Sequence, residues 1–143
     1  LRSLVGSEMC IRDRAYTAME SGDMDGAETA FTAYLDEHPG DSEAKKGLAV
    51  IALMRRTQSV DLQAGREAAA SNPKDIDAQL LAADLDLLGG HVDDAFARLL
   101  TSFRDTPSER DRIRERLLEL FDVVGVEDER VLQARKKLSR LMF

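Results

Sequence analysis

The chain has 143 residues, 27 acidic against 20 basic side chains and a formal net charge of −7; 43% of it is apolar, with only three Pro and nine Gly. That is enough apolar material for one ordinary domain with a buried core, and it excludes a fibrous or disordered chain. No stretch approaches the roughly 18 apolar residues of a membrane span, and a single Cys excludes a disulfide framework or a cysteine-based zinc site.

The first segment stands apart. Glu8-Met9-Cys10-Ile11-Arg12-Asp13-Arg14 resembles the translation of a transposon end used in preparing sequencing libraries, and such a scar is set aside from fold reasoning. On this reading residues 1–14 are a non-native leader and Cys10 carries no function. Two alternatives stand beside it: residues 4–14 are native helix, or residues 1–5 open a signal peptide. The signal reading suffers from a short apolar run interrupted by charge.

From Ala15 onward the chain repeats itself. Pro39, Pro73 and Pro107 stand 34 residues apart; Ala15, Ala49 and Ala83 keep the same step, as do Ala18 and Ala52, and Gly22 and Gly90 are two steps apart. Small residues let helices approach closely, Gly closes the first helix of a pair and Pro stops the second. The spacing therefore predicts helices near 11–21, 24–37, 42–56, 60–71, 75–88, 92–104, 109–124 and 128–142.

The first pair turns at Gly22-Asp23, and its second helix carries Ala27, Phe31 and Tyr34 ahead of Pro39. The middle pair keeps Leu48, Ala49, Ala52, Ala68 and Pro73, but has Arg56 where the glycine belongs and Gly65 inside its second helix. Because Gly costs up to about 1 kcal/mol against Ala in a helix interior, this unit is expected to be loosened around Gly65. The third pair turns at Gly90-His91 and places Ala95, Leu99 and Ser102 before Pro107. In the last two helices Ile113, Leu117, Leu120, Phe121 and Val124, then Val131, Ala134, Leu138 and Leu141, recur at helical spacing. Ser108-Glu109 and Asp128-Glu129 stand where the free amides of a helix start need acceptors.

A 34-residue period of helix pairs resembles the tetratricopeptide repeat. The resemblance implies an all-α fold, a short right-handed solenoid of about eight antiparallel helices. Residues 15–107 would form three repeats, the middle one degenerate, and residues 108–143 a capping pair.

The chemistry is mainly one of absence. His38 and His91 fall at turns, and neither has helical ligand spacing to a second His. Gly89-Gly90 is a helix stop rather than a phosphate loop, and no nucleophile, base and orienting acid share a motif. No catalytic residue, metal site or cofactor is expected. Arg110, Arg112, Arg114 and Arg116 crowd one helix and Arg135, Lys136, Lys137 and Arg140 another, but neighbouring acids dilute both groups. Surface ion pairing is the expected use of these cations, not nucleic acid, which needs a net basic surface.

In the tetratricopeptide fold the first helix of each pair lines the concave face. The phasing places Tyr16, Met19, Lys46, Val50, Leu53, Leu80, Asp84 and Leu87 there, a mostly apolar groove suited to an extended or helical peptide. The alternative is that these residues pack internally or against a further domain. Members that clamp a peptide's terminal carboxylate use Lys and Asn on these helices, and Val50 in place of Asn disfavours that partner class. If the groove is open, Leu53→Asp with Leu87→Asp should abolish client holding without unfolding the chain.

A narrower resemblance covers most of residues 15–143. Ala82-Ala83-Asp84-Leu85, Gly90-His91-Val92-Asp93-Asp94-Ala95, Arg116-Leu117-Leu118-Glu119-Leu120-Phe121 and the ending Arg135-Lys136-Lys137-Leu138-Ser139-Arg140-Leu141-Met142-Phe143 resemble the C-terminal half of bacterial thioredoxin-fold/tetratricopeptide co-chaperones, the YbbN or chaperedoxin family. The resemblance implies a bacterial cytoplasmic protein whose thioredoxin-like domain, missing here, precedes the repeats. It implies unfolded client proteins and the chaperonin or Hsp70 system as partners, and points to Leu138, Leu141, Met142 and Phe143 for chaperonin contact, although capping the solenoid would occupy them equally well. Two other readings remain: a generic tetratricopeptide scaffold for another protein, and a parent protein that is a thiol-disulfide oxidoreductase through its upstream domain.

Overall fold

A computed structural model describes residues 7–143, side chains of 7–10 and 12 aside. Among the described residues every regular element is helical: α1 (Ser7–Glu20), α2 (Met24–Glu37), α3 (Ser42–Thr57), α4 (Leu62–Ser71), α5 (Ile76–Leu88), α6 (Val92–Asp105), a 3-10 turn (Pro107–Glu109), α7 (Arg110–Val124) and α8 (Glu129–Met142). The all-α expectation and the eight helices hold. The chain divides into two compact units, Leu1–Ala52 and Leu53–Phe143, with the boundary inside α3.

Most helix starts are built by aspartate. Asp23, Asp41, Asp61, Asp75 and Asp128 each accept a backbone N–H from the first turn of the helix that follows, satisfying a donor that has no partner within the helix. Ser108 and Glu109 do otherwise: they lie in the 3-10 turn, and although Glu109 stands at the N-cap of α7 its side chain makes no capping hydrogen bond. The segment read as a leader is only partly visible. Residues 1–6 lie outside the described part, as does the signal-peptide reading placed on residues 1–5. Ile11, within the suspected scar, is half-buried against the core of the first unit.

In the first unit Ala15, Ala27, Phe31, Tyr34, Ala44 and Ile51 form the core. Tyr16 stands edge-on to Phe31, ring centroids 5.5 Å apart. Gly47 lets α3 lie against that same ring: a Cβ there would fall 2.5 Å from Phe31 Cε2. In the second unit the core runs from Leu53 through Leu80, Leu87, Phe96, Leu99 and Phe103 to Ile113, Leu117, Phe121, Val131 and Leu138. Phe96 and Phe121 meet edge to face at 5.1 Å, and each fully buried side chain of this size stabilises by roughly 1.5–3 kcal/mol.

The irregular middle repeat is a feature with consequences. Gly22 and Gly90 close α1 and α5 with φ of 85°, the left-handed backbone that glycine adopts without strain. Lacking that glycine, α3 runs on to Thr57, and Ser59 takes the left-handed position at φ 64°. In repeat register Thr57 corresponds to Asp23 (57 − 34), three residues beyond Glu20 where α1 stops. The register is recovered in a shortened α4 of 10 residues. Arg56 is thus not a turn residue but part of the last turn of α3. The expectation that Gly65 loosens α4 is also corrected: Gly65 is buried, and a Cβ there would lie 2.3 Å from Leu85 Cδ1. Its absent side chain is what lets α4 and α5 close on each other.

Candidate functional site

Helix α5 lies at the centre of the second unit, with nine of its 13 residues buried. Two of them, Asp84 and Asp86, are carboxylates with no exposure to solvent. Two positions along a helix correspond to about 200° of rotation, so the pair leaves α5 on opposite sides.

Asp84 faces the end of α3 and the middle of α7. Arg56 donates from Nε to Oδ2 at 2.9 Å and from Nη2 to Oδ1 at 3.2 Å, a two-point contact, and Arg116 donates from Nη1 to Oδ2 at 2.6 Å. Glu119 lies 2.9 Å from Arg56 Nη2 and 3.7 Å from Arg116 Nε. The extended α3 is what brings Arg56 within reach. Burial pushes the Asp84 carboxyl above its ordinary range, outweighing the Arg56 hydrogen bond and the charges of Arg116 and Arg56. Burial likewise lowers Arg116. It acts in the same sense on Arg56, where hydrogen bonds and charge from Asp84 and Glu119 overcome it and leave the guanidinium raised.

Asp86 faces α4 and α6. Arg66 Nε donates to it at 2.6 Å and Arg98 Nε at 3.2 Å. Arg98 Nη1 also donates to Gln79 Oε1 at 3.1 Å, and Gln79 Nε2 donates to the Ala69 carbonyl at 2.9 Å. Each buried acid is therefore held by two arginines from two other helices, as a buried charge requires.

Above these networks lie two clefts. One, of about 380 Å³, is lined by Arg56, Leu80, Arg112, Glu115, Arg116 and Glu119; the other, of about 670 Å³, includes Arg66, Lys74, Gln79, Asp94, Arg98 and Asp105. Both present arginines already fixed by buried carboxylates, an arrangement that offers directed hydrogen bonds to a polar surface. Among the described residues no group of three His, Cys, Asp or Glu could hold a metal ion, and no helix is long and apolar enough to cross a membrane.

The residues foreseen as groove lining part company here. In the first unit Tyr16 and Lys46 are exposed and Met19 and Val50 half-buried. In the second, Leu53, Leu80 and Leu87 belong to the core at 2%, 4% and 8% exposure, and Asp84 is fully enclosed. The apolar groove of the sequence reading is thus corrected for this unit: its leucines serve the core, and the surface above Leu80 and Asp84 is charged. The cause is α5 itself, enclosed so completely that the phase of its apolar residues marks no open side. At the C-terminus Leu138 is buried, Leu141 packs against the core, and Met142 and Phe143 are exposed.

The sequence reading missed Asp86, Arg66, Arg98 and Gln79 altogether. Asp84-Leu85-Asp86 within the apolar run from Leu80 to Leu88 was the available signal. The arginines of α7 were expected to form surface pairs. Arg112 does so with Asp77 and Glu109. Arg116 instead reaches a buried acid, and Arg110 lies over the Phe103 ring at 4.9 Å while donating to the Phe103 carbonyl at 2.9 Å.

Helix pairs punctuated every 34 residues and glycine-closed turns define a repeat scaffold for binding other proteins. Residues 55–143 match the tetratricopeptide repeat family over more than half of the chain, and the chain belongs to that family. It is a protein–protein interaction module. It is also 35% identical over 131 residues, 91% of its length, to the uncharacterized proteins Rv1324 of Mycobacterium tuberculosis and Mb1359 of Mycobacterium bovis. The chain spans 43% of the length of these relatives.

Proposed function

We propose that the chain is the non-enzymatic, protein-binding tetratricopeptide part of a bacterial cytoplasmic co-chaperone of the thioredoxin-fold type, holding unfolding clients and docking on the chaperonin or on Hsp70. In this reading the thioredoxin-like domain lies elsewhere in the parent protein, and residues 8–14 are not native. The observation that carries the proposal is the ending of α8: Leu138 and Leu141 anchor the helix in the core, while Met142 and Phe143 stand in solvent. A helix fixed at its base with two large apolar side chains at its tip is a ready contact for a partner's apolar pocket. The resemblance of residues 77–143 to the co-chaperone family supports it, and so does the greater length of the curated relatives.

The test has two arms. The 143-residue chain is added to a heat-unfolded client while light scattering is followed, and its binding to immobilised chaperonin and Hsp70 is measured. Suppressed aggregation together with binding that falls at least tenfold in Met142→Ala/Phe143→Ala is the expected result. Unchanged aggregation and no binding to either chaperone would overturn the proposal and leave a scaffold for a different protein, whose polar partner the clefts above Asp84 and Asp86 would suit.

A further inference from the structure

The charge of this chain is unevenly placed. Between Ala15 and Ala52 eight carboxylates face two lysines, whereas from Glu129 to Phe143 five cations face one glutamate. On α2 the acidic side chains Asp25, Glu28, Asp36 and Glu37 are exposed. On α8 Arg135, Lys136, Lys137 and Arg140 are exposed, interleaved with Leu132, Met142 and Phe143. Arg135 is engaged over the Phe121 ring at 5.2 Å, and among the described residues no carboxylate lies within ion-pair distance of Lys136, Lys137 or Arg140. The outer face of α8 is therefore an apolar patch framed by cations on a protein of net charge −7.

From this charge complementarity we infer that the chain self-associates, the outer face of α8 in one copy docking on the acidic face of α2 in another. Like charge repels most approaches between two copies of so acidic a protein. The α8 face carries the opposite sign and attracts the exposed acids of α2 in another copy. Attraction brings the faces together, and burial of Leu132, Met142 and Phe143 at the contact holds them. Because the two faces differ, the contact is heterologous, with one face of each kind contributed by different copies, and association grows with concentration. The inference stands independently of the co-chaperone reading, since it requires no other protein.

Sedimentation velocity of the 143-residue chain tests it. At low ionic strength the mean mass is expected to rise with protein concentration, and in high salt, where the Debye length shrinks to a few ångströms, to return to that of the monomer. Lys136→Ser/Lys137→Ser/Arg140→Ser and Asp25→Asn/Glu28→Gln/Asp36→Asn should each be monomeric alone, yet form a dimer when mixed, because each retains the face that the other has lost. Circular dichroism verifies that both remain helical; should either fail to fold, the salt response of the unaltered chain decides. A wild-type chain that stays monomeric at every concentration at low salt overturns the inference. So does continued association of the α2 variant alone, which would mean contact between like faces.

Discussion

Arg56 and Asp84 are joined by two hydrogen bonds, Nε to Oδ2 at 2.9 Å and Nη2 to Oδ1 at 3.2 Å, and the contact exists because α3 continues past the point where its neighbours turn. A lost glycine has thus been converted into a tie between consecutive first helices. Removing one partner leaves a buried carboxylate short of a cation. Arg56→Ala and Arg116→Ala are each expected to destabilise the chain by about 3–5 kcal/mol, and Arg56→Met/Asp84→Leu/Arg116→Met to recover most of that loss, since a buried charge network rarely surpasses an apolar one in stability. Urea unfolding followed by circular dichroism reads both. Single-variant losses under about 1 kcal/mol would show that solvent already screens the pair.

The same turn makes a second prediction of opposite sign. Ser59 occupies left-handed backbone at φ 64°, which costs a residue with a Cβ about 1–2 kcal/mol, while glycine's extra unfolded freedom costs roughly 0.5–1 kcal/mol. Ser59→Gly is therefore expected to raise stability by about 0.5–1 kcal/mol, and Gly90→Ala, at φ 85°, to lower it by a similar amount. Thermal melts of the two variants should move in opposite directions.

Two buried glycines separate helix propensity from packing. Alanine is the better helix former by about 1 kcal/mol, yet a Cβ at Gly47 would lie 2.5 Å from the rigid Phe31 ring, and one at Gly65 would lie 2.3 Å from a terminal methyl of Leu85. A ring cannot fold away, whereas a leucine can change rotamer. Gly47→Ala is accordingly expected to cost about 2–3 kcal/mol and Gly65→Ala about 1 kcal/mol, the latter change costing less when it is made in a Leu85→Ala background, itself destabilised by the lost side chain. Denaturant titrations of the three variants check the order; equal losses for both glycines would mean that Leu85 is as fixed as Phe31.

How far the sequence could be read depended on whether the signal was local. The 34-residue return of Pro39, Pro73 and Pro107 reports helix ends, which local chemistry sets, and the helices fell close to where that spacing placed them. Which side of α5 stays open is not a local property. Leu80 and Leu87 share one stripe with Asp84, and a stripe of leucines reads the same whether it lines a groove or fills a core. Only the packing of α4, α6 and α7 decides it. For that reason Leu53→Asp and Leu87→Asp, harmless to folding only if the groove were open, are expected to unfold the second unit by burying unpaired charge. The clamps on Asp84 and Asp86 were invisible for a related reason: their arginines are 12 to 32 positions away, and no residue pattern announces such partners.

Asp128 supplies a pH dependence with a definite sign. It caps α8 by accepting the Arg130 backbone N–H at 2.9 Å, and it accepts Arg130 Nε at 3.0 Å and Nη2 at 2.9 Å. The Arg130 side chain and then its backbone N–H lower the carboxyl from 3.8 to about 2. Between those two values the unfolded chain holds the proton more tightly than the folded one, so the stability that this ionised group confers is complete above pH 3.8 and lost as pH falls through about 2. Asp128→Asn keeps an oxygen for the cap but removes the charge, and its stability curve should lie below that of the wild type near neutrality and meet it at the acid end. Asp128→Ala removes the cap as well and should lie lower at every pH. Since the Asp128–Arg130 pair is open to solvent on one side, added salt should narrow the gap between wild type and Asp128→Asn while leaving the alanine deficit largely intact. A gap between wild type and Asp128→Asn that does not change on acidification would mean that geometry at the cap, rather than ionisation, is what Asp128 contributes.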